Sequence, residues 1–145
     1  MRIGEVAAAV GTTPRTIRYY EEIGLMPGAH DRAAGAHRVY SEQDVEQLTE
    51  ILRLKELLGV SLEELRELVA DQEARQLLRA EFLDPQTPPD RRRAILDDSA
   101  AIVARTQRLV DRRRAALDAL DGELADRRER IAQRRGELQQ APAKT

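Results

Sequence analysis

The sequence predicts a mainly α-helical fold in which a winged helix-turn-helix precedes a long C-terminal coiled-coil helix. Three observations predict it: two short apolar patterns meet at Gly11, a run of turn-forming residues follows Gly24, and an apolar residue recurs every seven positions over the last third of the chain. Of the 145 residues, 34% are charged and 3% are aromatic, so the core is expected to be small and aliphatic.

The helix-turn-helix is predicted from the first 24 residues. A first helix is indicated by apolar residues three or four positions apart, which are Ile3, Val6 and Val10. Gly11 suits a turn that needs a positive φ. Thr13 is the expected N-cap of a second helix and Pro14 its first residue, where the missing N–H costs nothing. This helix should end close to Gly24.

The second helix carries side chains suited to a DNA groove. Arg15, Arg18, Tyr19 and Tyr20 lie within about one and a half turns of each other. Arginine and tyrosine side chains bind phosphates and base edges, whereas an apolar core has no use for them at this density. The formal net charge of -2 does not favour a nucleic-acid partner, so the prediction depends on where the arginines lie.

A wing and two further helices are expected next. The segment LMPGAHDRAAGAHRVYS, with Gly28 and Gly35 as turn residues, predicts a small hairpin in which Arg38 and Tyr40 share one face. Capping-box patterns begin at two serines and are separated by Gly59, and they predict two helices whose leucines form core. These serines are Ser41 and Ser61.

Two segments follow this domain. A short helix is expected from Asp71 to Leu83, and three prolines then interrupt it before residue 90. Residues 90 to about 139 should form one helix, with an apolar row of Leu96, Val103, Val110, Leu117, Leu124, Ile131 and Leu138. Such a narrow row needs a partner helix, so the first five are predicted to form a dimer interface. In the first half of this helix a second apolar row widens the first, and its residues are Ile95, Ile102, Leu109, Ala116 and Leu120. In the second half Arg127 and Arg134 lie where this second row would continue, so that half of the helix is expected to fray or pack loosely.

Several classes of function are excluded by the residues present. Because Cys is 0, the chain has no disulfide, thiolate zinc site or iron–sulfur cluster. It offers no catalytic triad, phosphate-binding glycine loop or histidine cluster, which predicts a protein that is not an enzyme and uses no metal or cofactor. No stretch has the apolar length of a signal peptide or membrane span. We therefore expect a cytoplasmic, nucleoid-associated protein.

Between Ile3 and Val69 the chain resembles the MerR family of bacterial transcription regulators. The matching stretches are IGEVA, TIRYYEEIGL.P, HRVYSEQDV and LRLKELLGVSLEELRELV, in unbroken order. The resemblance implies a winged helix-turn-helix DNA-binding domain over residues 1–70 and a C-terminal helix that pairs antiparallel with its twin. By matching positions, it implies DNA-binding roles for Arg15, Thr16, Arg18, Tyr19, Tyr20, Arg38, Tyr40 and Lys55. Among these, Arg38 would be the wing arginine, Tyr40 its support and Lys55 a phosphate contact. Packing explains Tyr40 better than a DNA contact does, and one tyrosine of the pair Tyr19 and Tyr20 must face the first helix.

The family mechanism, carried over by resemblance, implies a homodimer on a palindromic operator. The dimer would bend and untwist promoter DNA so that RNA polymerase engages it, and an effector would shift the balance between two geometries. The absence of cysteine excludes sensing of thiophilic metals. An alternative function is a non-specific architectural DNA-binding coiled-coil protein without an effector.

An effector region is predicted around residues 71–89 and the start of the long helix. Its candidate residues combine apolar and acidic side chains and are Leu78, Glu81, Phe82, Asp97 and Asp98. This combination suits an organic, lipophilic cation. The competing interpretation is that the apolar residues pack the short helix in place and the acids are solvated. Residues 140–145 are expected to be a disordered tail.

Overall fold

The computed structural model describes residues 1–26 and 39–141, which contain five α-helices and no strand. The helices are α1 (Ile3–Val10), α2 (Pro14–Glu22), α3 (Glu42–Leu58), α4 (Leu62–Leu83) and α5 (Pro89–Gln140). This confirms the mainly α-helical class with a long C-terminal helix. The predicted wing, including Gly28, Gly35 and Arg38, lies outside the described residues. The chain divides into two compact units, Met1–Thr106 and Gln107–Thr145.

Helices α1 and α2 form the predicted helix-turn-helix. Gly11 caps α1 in the left-handed region at φ 77°. The Thr13 side chain accepts a hydrogen bond from the Thr16 N–H at 3.2 Å, and Pro14 occupies the first helical position. Gly24, at φ 83°, then lets the chain leave the end of α2. The turn residues therefore act as their sequence predicts.

The core of the first unit is aliphatic and is shared by the first four helices. Each helix contributes an apolar face, with Val6, Ile17, Leu48, Ile51 and Leu65 fully buried. Capping boxes at Ser41 and Ser61 begin α3 and α4, as predicted, and Gly59 ends α3 at φ 59°. This core fixes the orientation of α2, the helix that carries the predicted DNA-binding residues.

Helix α4 corrects the predicted organisation around residue 70. A separate helix from Asp71 to Leu83 was expected, but α4 runs without interruption from Leu62 to Leu83. Between these residues the sequence has neither glycine nor proline, so nothing in it stops the helix. The first compact unit accordingly extends to Thr106, beyond the predicted domain boundary at residue 70.

Helix α4 and the first part of α5 pack as an antiparallel pair. Arg105 donates two hydrogen bonds to Asp71, at 2.7 and 3.0 Å, and Arg91 pairs with Glu81 nearer the corner. The apolar side of α5 that carries Ile95 and Ile102 is buried. The turn between the helices is closed by the Thr87 hydroxyl, which donates to the carbonyl of Glu81 at 2.6 Å.

In the second unit, α5 continues to Gln140. The distal half was expected to fray or to pack loosely. Fraying is corrected, since the helix passes Arg127 and Arg134, whereas loose packing stays a prediction. Arginine, alanine and leucine are the commonest residues of this stretch, and all three favour helix. Residues 142–145, most of the predicted tail, lie outside the described residues.

Candidate nucleic-acid interface

One face of α2 is exposed and carries the hydrogen-bonding side chains. Arg15, Arg18, Tyr19 and Glu22 follow one another at intervals of three, one and three residues, which places them on one side of the helix. Together with Thr16 they line a shallow groove on the surface. Two guanidinium groups and a phenol can bind phosphate oxygens and base edges from this face.

The reverse face of α2 is buried. Ile17, Tyr20 and Glu21 are at most 2% exposed, whereas Tyr19 is 45% exposed. The neighbouring rings of Tyr19 and Tyr20 lie 6.4 Å apart, so the two tyrosines point to different environments. One tyrosine of this pair was expected to face the core, and it is Tyr20, so the DNA-binding role given to Tyr20 by resemblance does not fit its burial. Tyr20 lies three residues after Ile17, and this spacing turns it into the core.

Lys55 lies against the buried tyrosine of α2. Its ammonium group donates a hydrogen bond to the Tyr20 hydroxyl at 3.2 Å and stands 5.7 Å from the centre of the ring. Lys55 is otherwise exposed on α3. The structure thus brings a predicted phosphate-binding residue next to α2, the helix predicted to recognise DNA, and the contact joins α3 to α2.

Tyr40 is buried as well, at a position where packing was expected ahead of a DNA contact. It is 3% exposed, and its hydroxyl donates a hydrogen bond to the carboxylate of Glu21. Its backbone pairs with Met1: the Tyr40 N–H donates to the Met1 carbonyl at 2.8 Å, and the terminal ammonium donates to the Tyr40 carbonyl at 3.2 Å. By resemblance, Tyr40 was expected to support the wing arginine Arg38, which lies outside the described residues. The burial of Tyr40 fits a supporting role better than a direct contact with DNA.

Glu21 is the residue of this region that the sequence interpretation missed. Hydropathy argues against burying a carboxylate, yet Glu21 is 2% exposed. Its position four residues after Ile17 was the available signal, because it places Glu21 on the buried side. Thr16, by contrast, was predicted to bind DNA and is half-buried, with its hydroxyl 3.0 Å from that of Thr13.

The predicted effector residues are only partly brought together. Leu78, Glu81 and Asp98 line a surface cavity of about 460 Å³ between α4 and α5. Phe82 instead lies under the guanidinium of Arg92, 5.8 Å from its ring centre. Asp97 is exposed.

Two acids and two arginines line this cavity. The hydrogen bonds from Arg91 lower the pKa of Glu81, and the same bonds raise the pKa of Arg91. Arg105 is in turn paired with Asp71, and these hydrogen bonds raise the pKa of Arg105. Glu81 therefore has a cationic partner within the protein, and the preference of the cavity for a cation stays a prediction.

The predicted dimer residues leave apolar surface uncovered in both units. In the first unit Leu96 is 56% and Val103 59% exposed, although their neighbours Ile95 and Ile102 are buried. In the second unit Val110 is partly exposed, and Leu117 and Leu124 are both exposed. Large apolar side chains repeated along a helix at this exposure are typical of a surface that binds another chain.

Neither a metal-binding cluster nor a membrane-spanning helix is found within residues 1–26 and 39–141. This part of the chain holds no cluster of three or more acidic or histidine side chains that could bind a metal ion. None of its helices combines the length and apolar character needed to cross a bilayer.

Comparisons with known proteins agree with this architecture. Residues 1–72 match the family model described as MerR HTH family regulatory protein. The HTH-type transcriptional regulator YfmP of Bacillus subtilis is 42% identical over 92 residues, which are 63% of this chain and 65% of that protein. The HTH-type transcriptional regulator ZntR of Escherichia coli is 44% identical over 70 residues, 48% of each chain.

Two further matches extend the comparison. The mercuric resistance operon regulatory protein of Bacillus cereus is 44% identical over 68 residues, 47% of this chain and 50% of that protein. A crystal structure of a MerR family regulator from Listeria monocytogenes shares the fold, with a TM-score of 0.51 and 24% identity over 96% of this chain and 94% of that one. The matches to YfmP, ZntR and the mercuric resistance regulator each span less than two thirds of the length of that relative. Through its N-terminal residues, the chain belongs to the MerR family of helix-turn-helix regulatory proteins.

Proposed function

We propose that the protein is a homodimeric transcriptional regulator that binds a palindromic operator in a promoter. The observation that carries this proposal is the exposed face of α2, where Arg15, Arg18 and Tyr19 stand together above a buried reverse face. The major groove of DNA admits a helix, and arginine reads guanine edges there. The relatives named as transcriptional regulators support the same function and suggest no enzymatic reaction.

The dimer is proposed from the apolar surface on α5. A second copy would cover the exposed leucines and valines spaced seven residues apart, and each copy would contribute one α2. Two recognition helices related by twofold symmetry bind two half-sites related by the same symmetry. The operator would accordingly be a palindrome.

Regulation would operate through the shape of the DNA. A dimer that holds two half-sites at a fixed separation imposes bending and untwisting, whose energy depends on the sequence between them. In a promoter with an overlong spacer, this deformation would let RNA polymerase engage both promoter elements. The protein would therefore act on the nucleoid, in the cytoplasm.

An organic effector is proposed for the cavity between α4 and α5. The apolar side chains of Leu77, Leu78 and Ile102 give it an apolar lining, and Glu81 in this lining is paired with Arg91. The lining therefore suits a hydrophobic effector, either a lipophilic cation or a neutral compound. Tetraphenylphosphonium and the neutral triphenylphosphine oxide, compared by thermal shift and by operator affinity, test this point. Equal effects support a hydrophobic site, an effect of the cation alone supports the cationic effector, and no effect from either removes the effector.

The regulatory function is tested first by gel shift with DNA from upstream of the protein's own gene. A tight shift that requires an intact palindrome and survives excess random DNA supports a promoter-specific regulator. A shift that random DNA competes away equally well favours the architectural alternative, because non-specific binding depends on phosphate contacts alone.

A further inference from the structure

The last turn of α2 holds the chain on both sides of residues 27–38. On the entry side, the N–H groups of Leu25 and Met26 donate to the Tyr20 carbonyl at 2.8 and 3.3 Å, and both side chains are buried. On the exit side, the Tyr40 hydroxyl donates to the Glu21 carboxylate. Two adjacent residues of one helix therefore bind both flanks of this segment.

The contact on the exit side depends on a buried carboxylate, that of Glu21. A buried carboxylate is costly unless hydrogen-bonded, and Glu21 is the charged residue among the buried side chains of α2. An apolar residue would fill the same space without that cost. A directional acceptor differs from apolar packing in that it fixes where the donor sits, and buried polar groups can specify one arrangement in this way.

We propose that Glu21 is a positioning residue for DNA binding, which acts by holding Tyr40 against the recognition helix. This inference rests on the proposed function. Tyr40 follows the exposed Val39 and directly precedes Ser41, the N-cap of α3. Fixing Tyr40 to α2 therefore fixes the start of α3, which carries Lys55, relative to the exposed arginines of α2. Contacts to DNA from α2 and α3 are then held in one register.

A positioning role and a purely stabilising role predict different behaviour of paired substitutions. Removing one partner of a buried hydrogen bond leaves the other with one bond fewer inside the core, whereas replacing both with apolar side chains is often close to neutral. The double variant Glu21→Leu with Tyr40→Phe should therefore regain much of the stability that each single variant loses. It should not regain DNA affinity, because the directional contact is absent.

The experiment compares four variants on a duplex that the wild-type protein has enriched from a random-sequence library. The variants are Glu21→Leu, Tyr40→Phe, their combination and Glu21→Gln, which keeps an acceptor oxygen. Thermal unfolding and the Kd at several salt concentrations are measured for each. We expect each single variant, and the double variant, to lose roughly tenfold or more in affinity with a shallower salt dependence. Glu21→Gln should retain most of the affinity.

Val69→Ala is the matched control, because it removes buried volume from α4 away from α2. It should lower the unfolding midpoint and leave the Kd and salt dependence unchanged. Tyr40→Phe keeps the test open if Glu21→Leu fails to fold. The inference is overturned if the double variant regains affinity together with stability, or if the single variants bind as wild type does. If the wild-type protein enriches no sequence over random duplex, the proposed function and this inference fall together.

Discussion

Tyr19 and Tyr20 show how adjacent identical residues take opposite roles on a helix. Ile17 sets the buried side of α2, and a residue three positions later must share it, so the burial of Tyr20 was predictable from spacing. The burial of Glu21 was not, because the hydropathy of glutamate outweighs its position in any sequence-based assignment. The hydroxyl of Tyr40, 19 residues away in the sequence, donates a hydrogen bond to that carboxylate and so lowers the cost of burying it.

Arg18→Ala tests the recognition face at this scale. Arg18 is exposed and touches no core, so the substitution should leave folding and dimerisation unchanged. We expect specific affinity to fall by roughly tenfold to a hundredfold, since a bidentate base contact is worth about 1–3 kcal/mol. Fluorescence anisotropy with an operator duplex and a random duplex measures the loss of discrimination.

The control for Arg18→Ala is Arg66→Ala, which removes the same charge from the exposed side of α4. It should bind the operator like wild type. If Arg18→Ala also retains operator affinity, the recognition helix is not α2.

At the scale of elements, caps and turns were predictable and one helix boundary was not. Thr13, Ser41 and Ser61 carry local signals that act within four residues, and all three cap their helices in the structure. Around residue 70 the apolar spacing changes, but a helix ends only where its backbone is interrupted. No such interruption occurs before Asp84, so the change in pattern does not mark a helix boundary.

Gly11→Ala and Gly4→Ala make a matched pair at the helix-turn-helix. An added Cβ meets nothing within 4 Å at either position, so crowding contributes to neither result. Gly11 has φ 77°, where an L side chain is strained, and its substitution should lower the free energy of unfolding by about 1 kcal/mol. Gly4 is helical, and alanine there should raise it by roughly 0.5 kcal/mol. Urea denaturation would contradict the assignment of this turn if both variants shifted in the same direction.

The corner between α4 and α5 should respond to acid through Glu81. Because hydrogen bonds from Arg91 hold the pKa of Glu81 below its ordinary 4.5, this pair contributes stability above pH 4.5 that is lost as the pH falls through the lowered pKa. The contribution is small, since both side chains are about 40% exposed. Thermal unfolding of Glu81→Gln should therefore show less loss of stability below pH 4.5 than wild type.

The control for this acid response is Glu63→Gln, an exposed position on the same helix whose ion pair spans 3.8 Å. It should follow the wild-type pH curve. A curve for Glu81→Gln that runs parallel to wild type would show that the Arg91 contact does not contribute to acid stability.

For the whole molecule, the seven-residue spacing predicted a helix over residues 90–139, and α5 occupies Pro89–Gln140. The spacing also separates two environments that only the fold distinguishes. Ile95 and Ile102 are buried within the chain, whereas Leu96 and Val103, one residue later, are exposed. A single sequence cannot say which of two adjacent apolar rows a chain covers with its own helices, because both rows have the same period.

Leu117→Asp tests whether the exposed row is the contact between two copies. A carboxylate in an apolar interface must be desolvated without a partner, which costs several kcal/mol and appears twice in a symmetric dimer. Sedimentation should show monomers at concentrations where wild type is dimeric, and operator binding should weaken because two half-sites are no longer held by one particle. Ala119→Asp adds the same charge on the opposite side of α5 and should remain dimeric. If Leu117→Asp remains dimeric, the interface does not include the exposed row of α5. The proposal of a palindromic operator would then no longer be supported by that row.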